Sequence, residues 1–227
     1  VTPPPLRPAI TYRGDLNAGG SISDGNTDNK LANVGGRFQA RSKRHRFTFA
    51  GKYNYGEADN EINERNATAS TKYDFFVTTK FYSYIQSLLE RDDFEDLTLR
   101  STFGGGFGYQ ILDSDRAELF AEAGVSYVNE DYKRGADQNY ASGRWSAGLN
   151  WAIIPDRLRF FHIHELYMSL EEADDFYLRS EQGFRLPLVR NLLANVQVDY
   201  NYKNQPAPGT RRADTTYILG LAYEFQF

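Results

Sequence analysis

Asp214–Phe227 reads DTTYILGLAYEFQF. Thr215, Tyr217, Leu219, Leu221, Tyr223, Phe225 and Phe227 fall on one face. Thr216, Ile218, Gly220, Ala222, Glu224 and Gln226 fall on the other. A period of two means a strand. Its apolar face is aromatic and runs unbroken to the last residue. On a water-soluble sheet such a stripe would template pairing with other chains. On the outer wall of a transmembrane β-barrel it faces lipid, and the strand pairs with the first strand, so no edge remains. The stretch predicts the closing strand of such a barrel.

Composition agrees with that reading. The chain has 227 residues, enough for one domain. Mean hydropathy is -0.61, and no apolar run reaches the roughly 18 residues of a membrane helix. Barrels escape that test because lipid-facing and lumen-facing residues alternate and average out. Sixteen Tyr and 16 Phe suit strands and interfacial girdles, and 19 Gly suit turns. The chain has no Cys, so it has no disulfide framework and no thiolate metal site. A net charge of -4 argues against a nucleic-acid partner. The expected partners are outer-membrane lipid and, during biogenesis, the barrel-assembly machinery; no cofactor is expected. No signal peptide precedes Val1, which is expected as a mature start.

The rest of the chain repeats the two-sided rule. Residues 1–9 hold four prolines and are expected as a periplasmic lead-in; residues 10–227 form the barrel. Strands are expected at Ile10–Ser23, Leu31–Arg41, His45–Gly56, Glu64–Asp74, Phe75–Ser87 and Phe94–Ile111. Six more are expected at Arg116–Asn129, Gln138–Ile153, Arg157–Ser169, Phe176–Leu186, Leu192–Lys203 and the closing stretch. The face assignment is undecided in Phe75–Ser87 and Arg157–Ser169. In Phe94–Ile111, Leu97, Leu99, Phe103 and Phe107 are expected to face outward. Glu57–Asn63, Leu88–Asp93 and Glu130–Asp137 read as polar loops. The sum is an all-β, single antiparallel barrel of about twelve strands, an even number, with both termini periplasmic. A soluble sandwich would expose an apolar face on nearly every strand.

Three stretches resemble one family. Ser21-Ile22-Ser23-Asp24-Gly25-Asn26-Thr27 is similar to its opening hairpin. Glu90-Arg91-Asp92-Asp93-Phe94, Leu97-Thr98-Leu99-Arg100 and Gly104-Gly105-Gly106-Phe107-Gly108-Tyr109 resemble the core of the YdiY-like salt-induced outer membrane proteins. The resemblance implies an outer-membrane barrel and no particular reaction. The ending Tyr223, Phe225, Phe227 also resembles the C-terminal signal that bacterial assembly machinery reads.

The inward face collects the charges. Arg13, Asp15, Arg37, Lys52, Lys72, Arg100, Glu118, Glu122, Arg144, Arg179, Glu181, Arg185, Asp199 and Glu224 are expected to line the lumen. Twelve strands about 4.8 Å apart, tilted about 40°, give a backbone radius of roughly 12 Å and a free bore of roughly 10 Å or less. Such charges either pair into a plug or line a narrow pore. A monomeric channel or structural envelope protein is the first functional reading, with a link to salt stress drawn from the resemblance. A barrel anchoring a protein partner is another, although no stretch marks a surface for one. A lipid-modifying enzyme would rest on His162, His164 and Glu165 with Ser169, but Glu165 has the opposite parity from the histidines. Asp24-x-Asn26-x-Asp28 begins like a calcium loop but lacks the Gly and Glu that complete one, and reads as an ordinary turn. Inward glycines at 104, 106 and 108 leave room for a bulky neighbour.

Overall fold

The alternating strands close on themselves. A computed structural model of the chain describes residues 10–23, 29–58, 60–206 and 209–227. Among them are β1 (Thr11–Ser23), β2 (Asn29–Arg41), β3 (His45–Ala58), β4 (Glu61–Phe76), β5 (Phe81–Asp92) and β6 (Leu97–Asp113). There follow β7 (Ala117–Tyr132), β8 (Gln138–Ile154), β9 (Leu158–Ser169), β10 (Phe176–Val189), β11 (Leu192–Lys203) and β12 (Ala213–Gln226). Each strand pairs antiparallel with its neighbours, and β12 pairs with β1 to complete a closed barrel. The seam runs from Arg13 opposite Gln226 to Gly19 opposite Gly220. Its end is locked by reciprocal Tyr12 and Phe227 backbone bonds of 2.8 and 2.9 Å. Both chain ends of the barrel therefore lie at one rim, the rim with the short turns. The lead-in and the Asp24–Asp28 stretch lie outside the described residues.

Parity sorts the side chains. Leu16, Val34, Phe49, Phe103, Phe107, Val125, Tyr217 and Leu219 are exposed on the outer wall. Tyr223 and Phe225 share that wall, and Phe227 stacks on Tyr12 with ring centres 5.3 Å apart. Burying that wall in hydrocarbon removes it from water, while every strand edge is paired.

Several expected boundaries move. The turn placed at Asp74 lies at Val77–Lys80 instead, where the Thr78 hydroxyl accepts the Phe81 N–H at 2.9 Å. The strand expected over Phe75–Ser87 is divided between β4 and β5, and the loop expected over Leu88–Asp93 is the top of β5. Charged residues misled the reading, because they point into a lumen where counter-charges await them. The same cause explains Glu130, which is fully buried inside β7 rather than in a loop. The Glu57–Asn63 stretch is also mostly strand, with a bulge at Gly56/Glu57, and there Glu57 pairs at 3.0 Å with Lys30 on the neighbouring β2. Leu97 is buried rather than outward. Bulges at Glu90/Asp92 and Leu97/Leu99 turn it inward.

The undecided strands resolve through bulky inward residues. Tyr82 and Tyr84 on β5 and Tyr167 on β9 face the lumen and are buried. Space for them comes from β6. A Cβ on Gly108 would sit 2.3 Å from the Tyr82 ring, and one on Gly106 would sit 2.9 Å from the Tyr84 hydroxyl. The inward glycines are thus the imprint of tyrosines on the neighbouring strand. Gly108→Val is expected to destabilise the barrel by about 1–3 kcal/mol through overpacking. Tyr82→Ala should recover part of that loss in the double variant. Denaturant unfolding in lipid vesicles, followed by the gel shift between folded and unfolded barrel, measures both.

Candidate functional site

Among the described residues, thirteen of the fourteen charges expected in the lumen, all but Arg37, form ion pairs. The structure joins most of them across the bore in three tiers.

At the short-turn rim, Arg13 on β1 reaches Glu118 on β7 at 2.6 Å, which spans the barrel. Arg46 on β3 binds Asp74 on β4 at 2.5 Å and Gln110 on β6 at 3.2 Å. Glu224 on β12 accepts from Arg159 at 2.7 Å and Arg185 at 3.1 Å, and Arg185 lies 3.5 Å from Asp15.

At the waist, Lys52 on β3 donates to Glu181 on β10 and Asp199 on β11, both at 2.7 Å. Glu122 on β7 accepts from Lys72, from Arg144 at 2.9 Å and from the Tyr82 hydroxyl at 2.7 Å. Arg144 also donates to Glu165 at 2.5 Å and to Tyr84 at 3.0 Å.

At the loop rim, Glu130 accepts from Arg100 at 2.7 Å, from Lys203 at 2.5 and 2.6 Å and from Tyr132 at 2.6 Å. Tyr177 on β10 donates to Glu90 on β5 at 2.6 Å, again across the bore. Arg100 stacks over the Tyr177 ring at 4.4 Å. Arg179 makes only long ion pairs, 3.5 Å to Glu90 and 3.8 Å to Glu165.

Glu90, Glu130, Asp74, Glu165 and Lys203 complete these tiers and were missing from the expected site. Extending the even-numbered parity of β5 and β7 by a few residues would have found the first two.

The filling is uneven. Glu122 and Glu130 are 1% and 0% exposed, while the Arg13 and Glu118 side chains remain 40% and 28% exposed. Ser142 and Ser146 on β8 are sealed, whereas Ser70 on β4 and Asn17 on β1 keep water contact. Arg37 is exposed and makes no ion pair or side-chain hydrogen bond among the described residues. The bore is therefore packed most tightly at Glu122, Glu130, Ser142, Arg144 and Ser146 on β7 and β8, while Arg13, Asn17, Arg37 and Ser70 on β1, β2 and β4 keep water.

Above the waist lies an open vestibule of about 590 Å³, lined in part by Lys52, Glu90, Glu95, Arg100, Arg179 and Lys203. Its rim is a collar of charge. Asp93 pairs with Arg65, with Arg91 at 3.2 Å and with Lys133 at 2.8 Å. Those cations, Lys133 first, hold the Asp93 carboxyl down at about 2. Asp92 turns away from the collar and accepts the N–H groups of Phe94 and Glu95. Burial, against the pull of Arg100 and with the help of nearby Asp92, pushes the Glu95 carboxyl up to about 7.

The enzyme constellation is not assembled. Glu165 faces the lumen and is bonded to Arg144, and Ser169 is likewise buried inside. His162 and His164 alternate to the outer wall. Ser180 on β10 stands opposite His164, but both His164 nitrogens are engaged, one by Trp145 at 3.1 Å and one by His162 at 3.0 Å. Among the described residues no group of three or more His, Asp or Glu is placed to hold a metal ion.

A family model described as "Protein of unknown function, DUF481" matches residues 16–225. No curated protein matches the chain. A solved NanC porin is 10% identical, with a TM-score of 0.54 over 95% of this chain and 99% of the porin. The translocator domain of the autotransporter NalP from Neisseria meningitidis is 12% identical, with a TM-score of 0.45 over 98% and 90%. The outer membrane channel DcaP of Acinetobacter baumannii is 12% identical, with a TM-score of 0.41 over 96% of each chain. At these identities the likeness is one of fold.

Removing one member of the waist cluster leaves its partners as uncompensated charges. Glu122→Leu is expected to cost about 3–5 kcal/mol in unfolding experiments. The triple replacement Lys72→Met, Glu122→Leu, Arg144→Met should recover most of that, since apolar filling removes the stranded charge.

Proposed function

We propose, for a chain that belongs to the DUF481 family and folds as a bacterial outer-membrane β-barrel, that it is a narrow ion channel whose conductance is set by salt. The observation that carries this reading is the uneven lumen. Glu122, Glu130 and Arg144 on β7 and β8 are sealed, but a strip past Arg13, Arg37 and Ser70 on β1, β2 and β4 keeps water.

The cross-bore bonds that restrict this strip are the partly hydrated ones. Lys52–Glu181 has side chains 16% and 27% exposed, and Arg159–Glu224 has 39% and 28%. Ions screen such pairs, because the Debye length falls from about 10 Å at 0.1 M to about 3 Å at 1 M. The sealed clusters at Glu122 and Glu130 respond little and hold the wall in place. A link to salt stress would follow from this physics, with the periplasm at the short-turn rim and the vestibule facing outward.

Planar-bilayer recording of the purified barrel tests the reading. Small discrete steps are expected, and their conductance should rise faster than that of the bulk electrolyte between low and high salt. Arg37→Glu should move the reversal potential toward cation preference. Silence from a folded barrel would contradict the channel and leave the structural role.

The vestibule adds a dependence on pH. Glu95 titrates near 7, so it is neutral in mild acid and negative above neutrality. Cation preference should therefore grow as pH rises through about 7, and Glu95→Gln should abolish that change. Stability moves the opposite way. The fold favours the protonated carboxyl, so this group's contribution is fully present below its unfolded pKa near 4.5 and is lost as pH rises through about 7.

A further inference from the structure

The outer wall carries one polar island. On β9 and β10, His164 stands opposite Ser180 and His162 opposite Gln182. These strands run between the two rims, and the four residues lie near their middle, level with the hydrocarbon. Away from the strand ends, His162, His164 and Gln182 are the outward-facing imidazole and amide groups among the described residues.

Their bonds form a short relay that ends in the open. The Trp145 indole N–H donates to His164 Nε2 at 3.1 Å, so that nitrogen is unprotonated. In the neutral ring the proton then sits on His164 Nδ1, which donates to His162 Nε2 at 3.0 Å. The proton of His162 is left on Nδ1 with no acceptor among the described residues. The side chains of Gln182, which is exposed, and Ser180 make no hydrogen bond among the described residues. Lipid tails offer neither donor nor acceptor, so an imidazole N–H and a primary amide are stranded where they are costliest.

We propose that this island is the contact between two copies of the chain, related by a two-fold axis normal to the membrane. The exposed amide and its apolar surround favour a second copy. A primary amide carries donors and an acceptor, so Gln182 can pair reciprocally with its own symmetry mate. The contact would be isologous, as closed dimers require. Around the island, Phe160 and Phe184 pack at a tilt with ring centres 5.4 Å apart, and Leu166, Leu178 and Trp145 supply apolar flanks. Polar groups set among apolar ones are a recurrent device for joining membrane segments.

The chain has no Cys, so a single introduced thiol reports the contact cleanly. Ser180→Cys, which leaves the Gln182 amide in place, should under mild oxidation in outer-membrane preparations shift the band from the monomer mass of 25.9 kDa to twice that. Ile85→Cys, on the far wall at β5, should stay monomeric. Heat-modifiable migration confirms that both variants are folded. Independently, photobleaching of the labelled wild-type chain in a bilayer should give two steps, and Gln182→Leu should reduce them to one. Equal cross-linking at 180 and 85, or one-step bleaching of the wild type, would overturn the proposal, with a lipid or a different protein then covering the island.

Discussion

A charge inside a bore this narrow cannot keep its full shell of water, and that condition organises the whole lumen. Most carboxylates that point inward are met by cations, and several by a tyrosine hydroxyl as well, while Glu64 accepts from Asn66 and Thr216 instead. Glu130 gathers Arg100, Lys203 and Tyr132; Glu122 gathers Lys72, Arg144 and Tyr82. Much of this pairing bridges strands far apart in sequence. Arg13 and Glu118 are 105 residues apart, and Lys52 and Asp199 are 147 apart. The network therefore ties opposite walls together after the strands have closed. It adds little net energy over apolar filling but makes each member costly to remove.

The aromatic residues divide between two tasks by parity alone. Outward rings meet lipid along the wall and at the seam, where Phe227 stacks on Tyr12. Inward rings fill the bore beside the ion pairs. Arg46 lies over the Tyr82 ring at 4.9 Å, Arg144 over Tyr84 at 5.1 Å and Arg100 over Tyr177 at 4.4 Å. A ring face is a favourable neighbour for a desolvated cation. Filling is tightest at the β7–β8 wall, while Arg13, Arg37 and Ser70 keep their water.

The fold was legible because alternation survives almost everywhere. Closing strand, strand number and outward faces all follow from a period of two. Misreadings cluster where polar residues stand in strands, as at Glu90 and Glu130, since polarity normally signals a loop. Inside a barrel it signals a counter-charge on the opposite wall, which no local pattern displays. The inward tyrosines blurred the parity of β5 for a similar reason, and their imprint appeared instead as glycines on β6. Local spacing placed the charges on the inner face but could not say which met which. Those partners depend on the registers of twelve strands at once.

The central claim is that paired charges seal the β7–β8 wall of the lumen while a strip past Arg13, Arg37 and Ser70 stays wet. Cysteine accessibility measures this directly in a chain without native thiols. Ser146→Cys and Ser70→Cys both point inward, the first sealed and the second in contact with water. A small charged thiol reagent should modify residue 70 readily and leave residue 146 untouched until the barrel is unfolded. Equal modification at both positions would mean that the ion-pair network does not fill the bore, and the account of the lumen would fail with it.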